Sequence, residues 1–217
     1  MLTTPESIRT LQRKLYRKAK QEPAYRFYAL YDKVYRADIL SHAYCRVRAN
    51  KGSAGVDGVT FKAIEDAGGE TAFIAELQEA LKSKSYAPRP VKRLRIPKSD
   101  GSKRPLGIPA IRDRVAQMAF KLVIDADGSK YFDSILHARL MAVLAERIVD
   151  GALLHIIRMW LKAPVMGEDE DGTRRTIGGG KANTLGTPQG GVISPLLANL
   201  YASVGPAVGA AAPSAAA

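Results

Sequence analysis

Cationic side chains spaced to meet a polyanion are the first chemistry legible in this 217-residue chain. Between residues 91 and 109, Lys92, Arg93, Arg95, Lys98, Lys103 and Arg104 are strung along two short runs. Leu94 and Ile96 alternate with Arg93 and Arg95, as on a half-buried strand. Ser99-Asp100-Gly101 supplies turn chemistry, and Arg104 to Pro109 reads as the return strand of a hairpin. A second cationic group, Arg9, Arg13, Lys14, Arg17, Lys18 and Lys20, surrounds Ile8, Leu11 and Leu15 at helical spacing. Guanidinium and ammonium donors at these densities suit phosphate oxygens. A solvated basic face without a ligand is the competing reading.

Other chemistry-bearing residues say less by themselves. Asp125, Asp127 and Asp133, around Tyr131-Phe132, read as turn or cap residues, and Phe132 as core. His137 and His155 have no partners at metal-ligand spacing and read as structural. Cys45, the single cysteine, excludes an internal disulfide framework and a multi-cysteine zinc site, and reads as inert on a helix. The glycine-rich stretch from Lys51 to Gly58 lacks the Gly-Lys-Ser/Thr ending of a Walker-type phosphate loop.

The elements expected to position these residues are mixed. Thr4-Pro5 opens a first helix as cap and first-turn proline. A second is expected over 24–48, with Phe27, Leu30, Tyr31, Val34 and Leu40 as its apolar side. Phe73, Leu77 and Leu81 mark a third, and Val115, Met118, Ala119 and Leu122 another after the hairpin. A short strand and turn follow through 125–133, then helices at about 137–148 and 151–163, stopped by Pro164. Residues 167–183 read as a polar loop, Ser194-Pro195 as the start of a helix through Tyr201, and the stretch from about Val204 as a disordered low-complexity tail. Helices and hairpins without regular βαβ alternation indicate an α+β fold.

Charge and composition narrow the partners. The formal net charge is +12, with residues 1–48 at +7, residues 49–81 at −4, residues 82–114 at +9, and residues 115–217 neutral. Two basic blocks flanking a neutral body point to nucleic acid. With 46% hydrophobic and 25% charged residues, the chain is no disordered acidic tract. No apolar run reaches the ~18–20 residues of a membrane helix, and the start lacks the order of a secretion signal. A reducing cytoplasm is the expected compartment.

Three stretches together resemble the reverse transcriptase/maturase encoded by group II introns. They are Asn50-Lys51-Gly52-Ser53-Ala54-Gly55-Val56-Asp57-Gly58-Val59-Thr60; Ile96-Pro97-Lys98 through Arg104-Pro105-Leu106-Gly107-Ile108-Pro109 and Ile111-Arg112-Asp113-Arg114; and Gly186-Thr187-Pro188-Gln189-Gly190-Gly191 through Tyr201. Each is long, and their order is the family's. The resemblance implies an incomplete right-hand polymerase, fingers and partial palm, with basic N-terminal helices and a β-hairpin. Its segments would be a basic helical extension and glycine-rich loop (1–60), a fingers-like part (61–124), a partial palm (125–203) and the tail (204–217).

The resemblance also implies roles. Asp127 matches the metal-binding and catalytic aspartate of the first palm motif, with the Gly128 carbonyl as a further Mg²⁺ ligand. Phe132 matches the aromatic beneath the incoming sugar. Lys98 and Arg104 match residues that grip the triphosphate, and Gln189 and Gly190 the loop near the forming base pair. Arg13, Lys14, Arg17, Lys18, Lys92, Arg93 and Arg95 would meet RNA. Implied partners are intron and template RNA, a DNA primer and deoxynucleoside triphosphates. Phosphoryl transfer of this kind asks mainly for positioning and charge stabilisation by divalent ions held on carboxylates.

Two departures stand against the match. Ile124 runs straight into Asp125, where the family has a whole block. No Asp or Glu follows Asp171, so the Tyr-x-Asp-Asp hairpin with the remaining metal carboxylates is missing. The chain alone is therefore expected to be inactive as a polymerase. The alternatives are a non-catalytic RNA-binding remnant and a decayed gene product.

Overall fold

The computed structural model describes residues 2–22, 24–97, 103–124, 136–168, 173–184, 192–194 and 196–197, with Lys103, Arg104 and Glu168 described by backbone alone. Its element order is α1 (Glu6–Gln21), α2 (Tyr31–Val34), α3 (Ala37–Ala49), α4 (Phe61–Asp66), α5 (Gly69–Lys82), β1 (Val91–Pro97), β2 (Lys103–Ile108), α6 (Ile111–Ile124), α7 (His137–Arg147), α8 (Gly151–Leu161), β3 (Val165–Glu168) and β4 (Arg174–Gly178). The α+β expectation holds.

Helix α6 is the axle of the core. Val115, Ala116, Met118, Ala119, Phe120, Leu122 and Val123 are all buried, so the helix is wrapped on every side. Helix α3 lays Ile39, Leu40, Ala43 and Val47 toward it, α1 adds Ile8 and Leu11, and α8 adds Leu153, Ile157 and Trp160. One continuous apolar cluster joins residues from Ile8 to Leu197. Phe120 and Trp160 meet edge to face at 4.7 Å between ring centroids.

The expected single helix over 24–48 is broken in three. Phe27 is bridged to Ile148: its N–H donates to Arg147 O, and its carbonyl accepts from Val149 N. Asp150 Oδ2 accepts the N–H groups of Leu30 and Tyr31 at 3.0 and 2.7 Å. Tertiary partners claim the backbone groups a helix would have used, and helical structure resumes only at α2 and α3. Helix α4, absent from the expectation, starts at Thr60, whose hydroxyl caps Ala63 N at 3.1 Å.

The sheet order is β2-β1-β3-β4, antiparallel between β1 and β2, parallel between β1 and β3, antiparallel between β3 and β4. The expected hairpin is present, with Arg93 opposite Gly107 and Arg95 opposite Pro105. Its half-buried alternation is corrected: Leu94 is 40% exposed, because the strands run outward beyond the core after Val91. The expected loop at 167–183 is likewise corrected, since the end of β3 and all of β4 fall within it. Val165 and Met166 pair with Val91 and Lys92, so the free edge of β1 recruits them into the sheet. The turn at Ser99-Asp100-Gly101, the strand expected at 125–133 and the tail from Val204 lie outside the described residues.

Candidate nucleic-acid interface

Strand register sorts the basic residues of the hairpin onto two faces. Side chains alternate along β1, so Arg93 and Arg95 share a face, with Gly107 and Pro105 opposite them. Neither opposing residue carries a bulky side chain, and the guanidinium pair stands over a low surface. Lys92 lies on the other face, and the backbone of Arg104 pairs with Ile96. Arg95 is exposed, Arg93 and Lys92 are partly so, and none of the three makes an ion pair or hydrogen bond with a described residue. These charges are available to a ligand.

The glycine-rich loop is clamped beside the hairpin base. Arg114 donates to Ser53 O at 2.6 Å, Arg174 to Val56 O at 2.8 Å, and Arg89 to Asp57 Oδ2 at 2.9 Å. Asp57 also accepts from Val59 N. A Cβ on Gly55 would fall 2.6 Å from Ala110 Cα, backbone against backbone, which explains the glycine there. Lys51, at φ 46°, takes the left-handed turn that leaves α3 and opens the loop.

Beneath both sits a buried polar chain. Asp113, 1% exposed, accepts from Tyr86 Oη at 2.7 Å and from Arg89 N at 2.9 Å. Tyr86 Oη in turn accepts from Trp160 Nε1 at 3.0 Å. Burial pushes the Asp113 carboxyl up to about 6, and the hydrogen bonds from Tyr86 and Arg89 only partly offset it. Burial likewise holds the Tyr86 hydroxyl well above its ordinary range. Gln117, one turn along α6, accepts Val192 N at 3.0 Å and anchors the segment that follows Gly191. Sequence reading passed over this network. Its signal was there in α6, where Val115, Ala116, Met118, Ala119, Phe120, Leu122 and Val123 spread apolar residues over every face and leave Asp113 and Gln117 little solvent to point into.

The basic residues of α1 divide. Arg13 pairs with Glu6 at 3.0 Å and Lys18 with Glu22 at 2.5 Å, the latter also 4.3 Å from the Tyr25 ring centroid. Lys14 and Arg17 are exposed and make no ion pair or hydrogen bond with a described residue. Of the remaining expected site residues, Lys98, Asp127, Gly128, Phe132, Gln189 and Gly190 lie outside the described residues, and Arg104 is placed by its backbone alone.

Among the described residues, no group of three or more His, Cys, Asp or Glu side chains is arranged to hold a metal ion. The buried carboxylates have other partners: Asp113 as above, and Asp150 with Leu30, Tyr31 and Leu153. The described part of the chain does not supply the donor set of a divalent-ion site. His137 is buried on α7 and His155 exposed on α8. Burial raises the Cys45 thiol, disfavouring thiolate. No described helix is long and apolar enough to cross a membrane.

No family model matches the chain. The chain is 30% identical to protein YkfC of Escherichia coli over 89% of its length. It is 28% identical, over 81% of its length, to the group II intron-encoded protein LtrA of Lactococcus lactis. It is 26% identical, over 76%, to an uncharacterised 91 kDa protein in the cob intron of Schizosaccharomyces pombe. The homologues of the chain are group II intron-encoded proteins. It spans 60% of YkfC and 34% of LtrA. The alignment with YkfC runs over 242 positions, more than the chain's own 217, so parts of that relative have no counterpart here. That fits the internal block that the sequence lacks relative to these homologues. A chain of a Cas6-RT-Cas1–Cas2 complex shares the fold, at TM-score 0.50 and 16% identity, over 79% of this chain and 21% of its own.

Proposed function

We propose that these 217 residues form the fingers and part of the palm of a right-hand polymerase, and that their function is to grip RNA through its phosphates. The observation that supports this most is the pair Arg93 and Arg95, exposed or half-exposed on one face of a hairpin and free of carboxylate partners among the described residues. Lys92, Lys98 and Arg104 extend the same hairpin, and Lys14 and Arg17 offer further charge on α1. Arg13 and Lys18 are weaker contributors, since RNA must first compete with Glu6 and Glu22. The reading keeps the segments 1–60, 61–124 and 125–203 as extension, fingers and palm, and intron RNA, template, primer and deoxynucleoside triphosphates as the family's partners.

In the complete polymerase, a divalent ion, Mg²⁺ by family chemistry, offsets the charge that develops in phosphoryl transfer. Asp127, with the Gly128 carbonyl, is the proposed ligand set, Phe132 the sugar gate, and Gln189-Gly190 the base-pair contact. One aspartate does not make a two-ion site, and no acidic residue follows Asp171. That observation favours a second reading of these residues as an RNA-binding unit without catalysis of its own.

The test is the salt dependence of RNA binding. Log K should fall linearly with log salt, and Arg93→Gln, Arg95→Gln and Lys98→Gln together should flatten the slope by about 2, at ~0.7–0.9 per phosphate. An unchanged slope would remove the hairpin from the interface.

A further inference from the structure

Away from the hairpin, a groove of ≈ 540 Å³ opens between Leu2, Thr3 and Thr4 ahead of α1, Arg9 within it, Arg46, Ala49 and Asn50 at the end of α3, and Met118 of α6. The ionisable side chains in this lining are both arginines. Each is exposed, and neither makes an ion pair or hydrogen bond with a described residue. Their neighbours behave otherwise: Arg13 pairs with Glu6, Arg36 with Asp38, and Arg48 with Glu65. Two guanidinium groups facing one groove without a carboxylate repel each other, and an anion between them relieves that repulsion.

The rest of the lining suits the same ligand. Thr3, Thr4 and Asn50 bring neutral hydrogen-bonding groups, while Ala49 and Met118 give an apolar floor. The volume lies in the range of nucleotide-sized sites. His42, one turn before Arg46, is buried with Nε2 unpartnered among the described residues. Its pKa is lowered by burial first and by the Arg46 charge second, so the neighbourhood is already positive.

We infer that this groove is a second phosphate subsite, in which Arg9 and Arg46 hold phosphodiester groups of the RNA strand. The inference rests on the RNA-binding reading above and adds two residues to it.

Fluorescence anisotropy of the full chain with single-stranded RNA, across a salt series, decides it. Arg9→Gln with Arg46→Gln should flatten the salt slope by about 1.5, and Arg9→Lys with Arg46→Lys should keep it. An unchanged slope in the glutamine variant overturns the groove; if the hairpin variant still flattens it, RNA binding itself stands. No binding by the unsubstituted chain overturns both. Inorganic phosphate that raises the melting temperature through these arginines, with the RNA slope unmoved, also overturns it, since the site would then serve a free anion. Should the double glutamine variant lose its cooperative melt, each single glutamine variant should still lose about half of the change.

Discussion

Asp113 carries the sharpest residue-scale consequence. Its carboxyl sits at about 6 in the folded chain against an ordinary 3.8, because burial disfavours the charged form. The unfolded chain therefore releases this proton first as pH rises. Stability from this group is full below about pH 4, declines between pH 4 and 6, and stays reduced above, by ~3 kcal/mol for a displacement of that size. Asp113→Asn should remove this fall, while leaving one of the two donors, Tyr86 Oη–H or Arg89 N–H, facing the amide NH2 instead of an oxygen. Urea denaturation at intervals from pH 4 to 7 tests it: the difference between parent and variant should change with pH in that window, and a constant difference refutes the assignment. Tyr86→Phe should cost ~1–3 kcal/mol, since both Asp113 and Trp160 Nε1 then lose a partner inside the core. The sequence showed Asp113 only as part of a motif; nothing in its spacing announced that Tyr86 and Trp160, 27 and 47 positions away, would share its proton chemistry.

At the scale of elements, Asp150 joins two segments that the sequence keeps far apart. One oxygen caps α8 at Leu153 N, 3.2 Å away, and the other holds Leu30 N and Tyr31 N. Asp150→Ala should cost ~3 kcal/mol, from a lost cap and two stranded buried N–H groups. Asp150→Ser, able to cap but too short to reach both segments, should fall between. Chemical denaturation of the three chains ranks them, and equal stability of the alanine variant would sink the tie. This contact is also why a helical reading of 24–48 fails. The apolar spacing of Phe27, Leu30, Tyr31 and Val34 is real and those side chains face the core, but their backbone bonds to distant residues. Gly55→Ala should loosen the glycine-rich loop, because the added Cβ meets the Ala110 backbone. Faster amide exchange at Gly58, whose N–H donates to Gly55 O, would report it.

For the whole molecule, the decisive assay is primer extension on an RNA template with Mg²⁺ or Mn²⁺. These 217 residues alone should yield no cDNA, because each 1.36 kcal/mol of lost transition-state stabilisation costs tenfold in rate and a metal supplies several. Clear product would overturn that reading. What the sequence by itself determined was the kinship with group II intron-encoded proteins, the α+β class, the basic hairpin and most helices. Those features are written in local order: apolar residues at helical spacing, turn residues at 99–101, and motif stretches whose residues are contiguous. The tertiary structure alone decided three things. Strand register set which cations share a face, separating Arg93 and Arg95 from Lys92. Packing chose which cations have carboxylate partners, so Arg13 and Lys18 are tied while Arg9 and Arg46 open onto a groove. Long-range pairing drew Phe27 into a bridge with Ile148 in place of helix, and 165–168 and 174–178 into sheet. Each depends on which residues, remote in sequence, come within hydrogen-bonding distance, and one-dimensional spacing carries no measure of that distance.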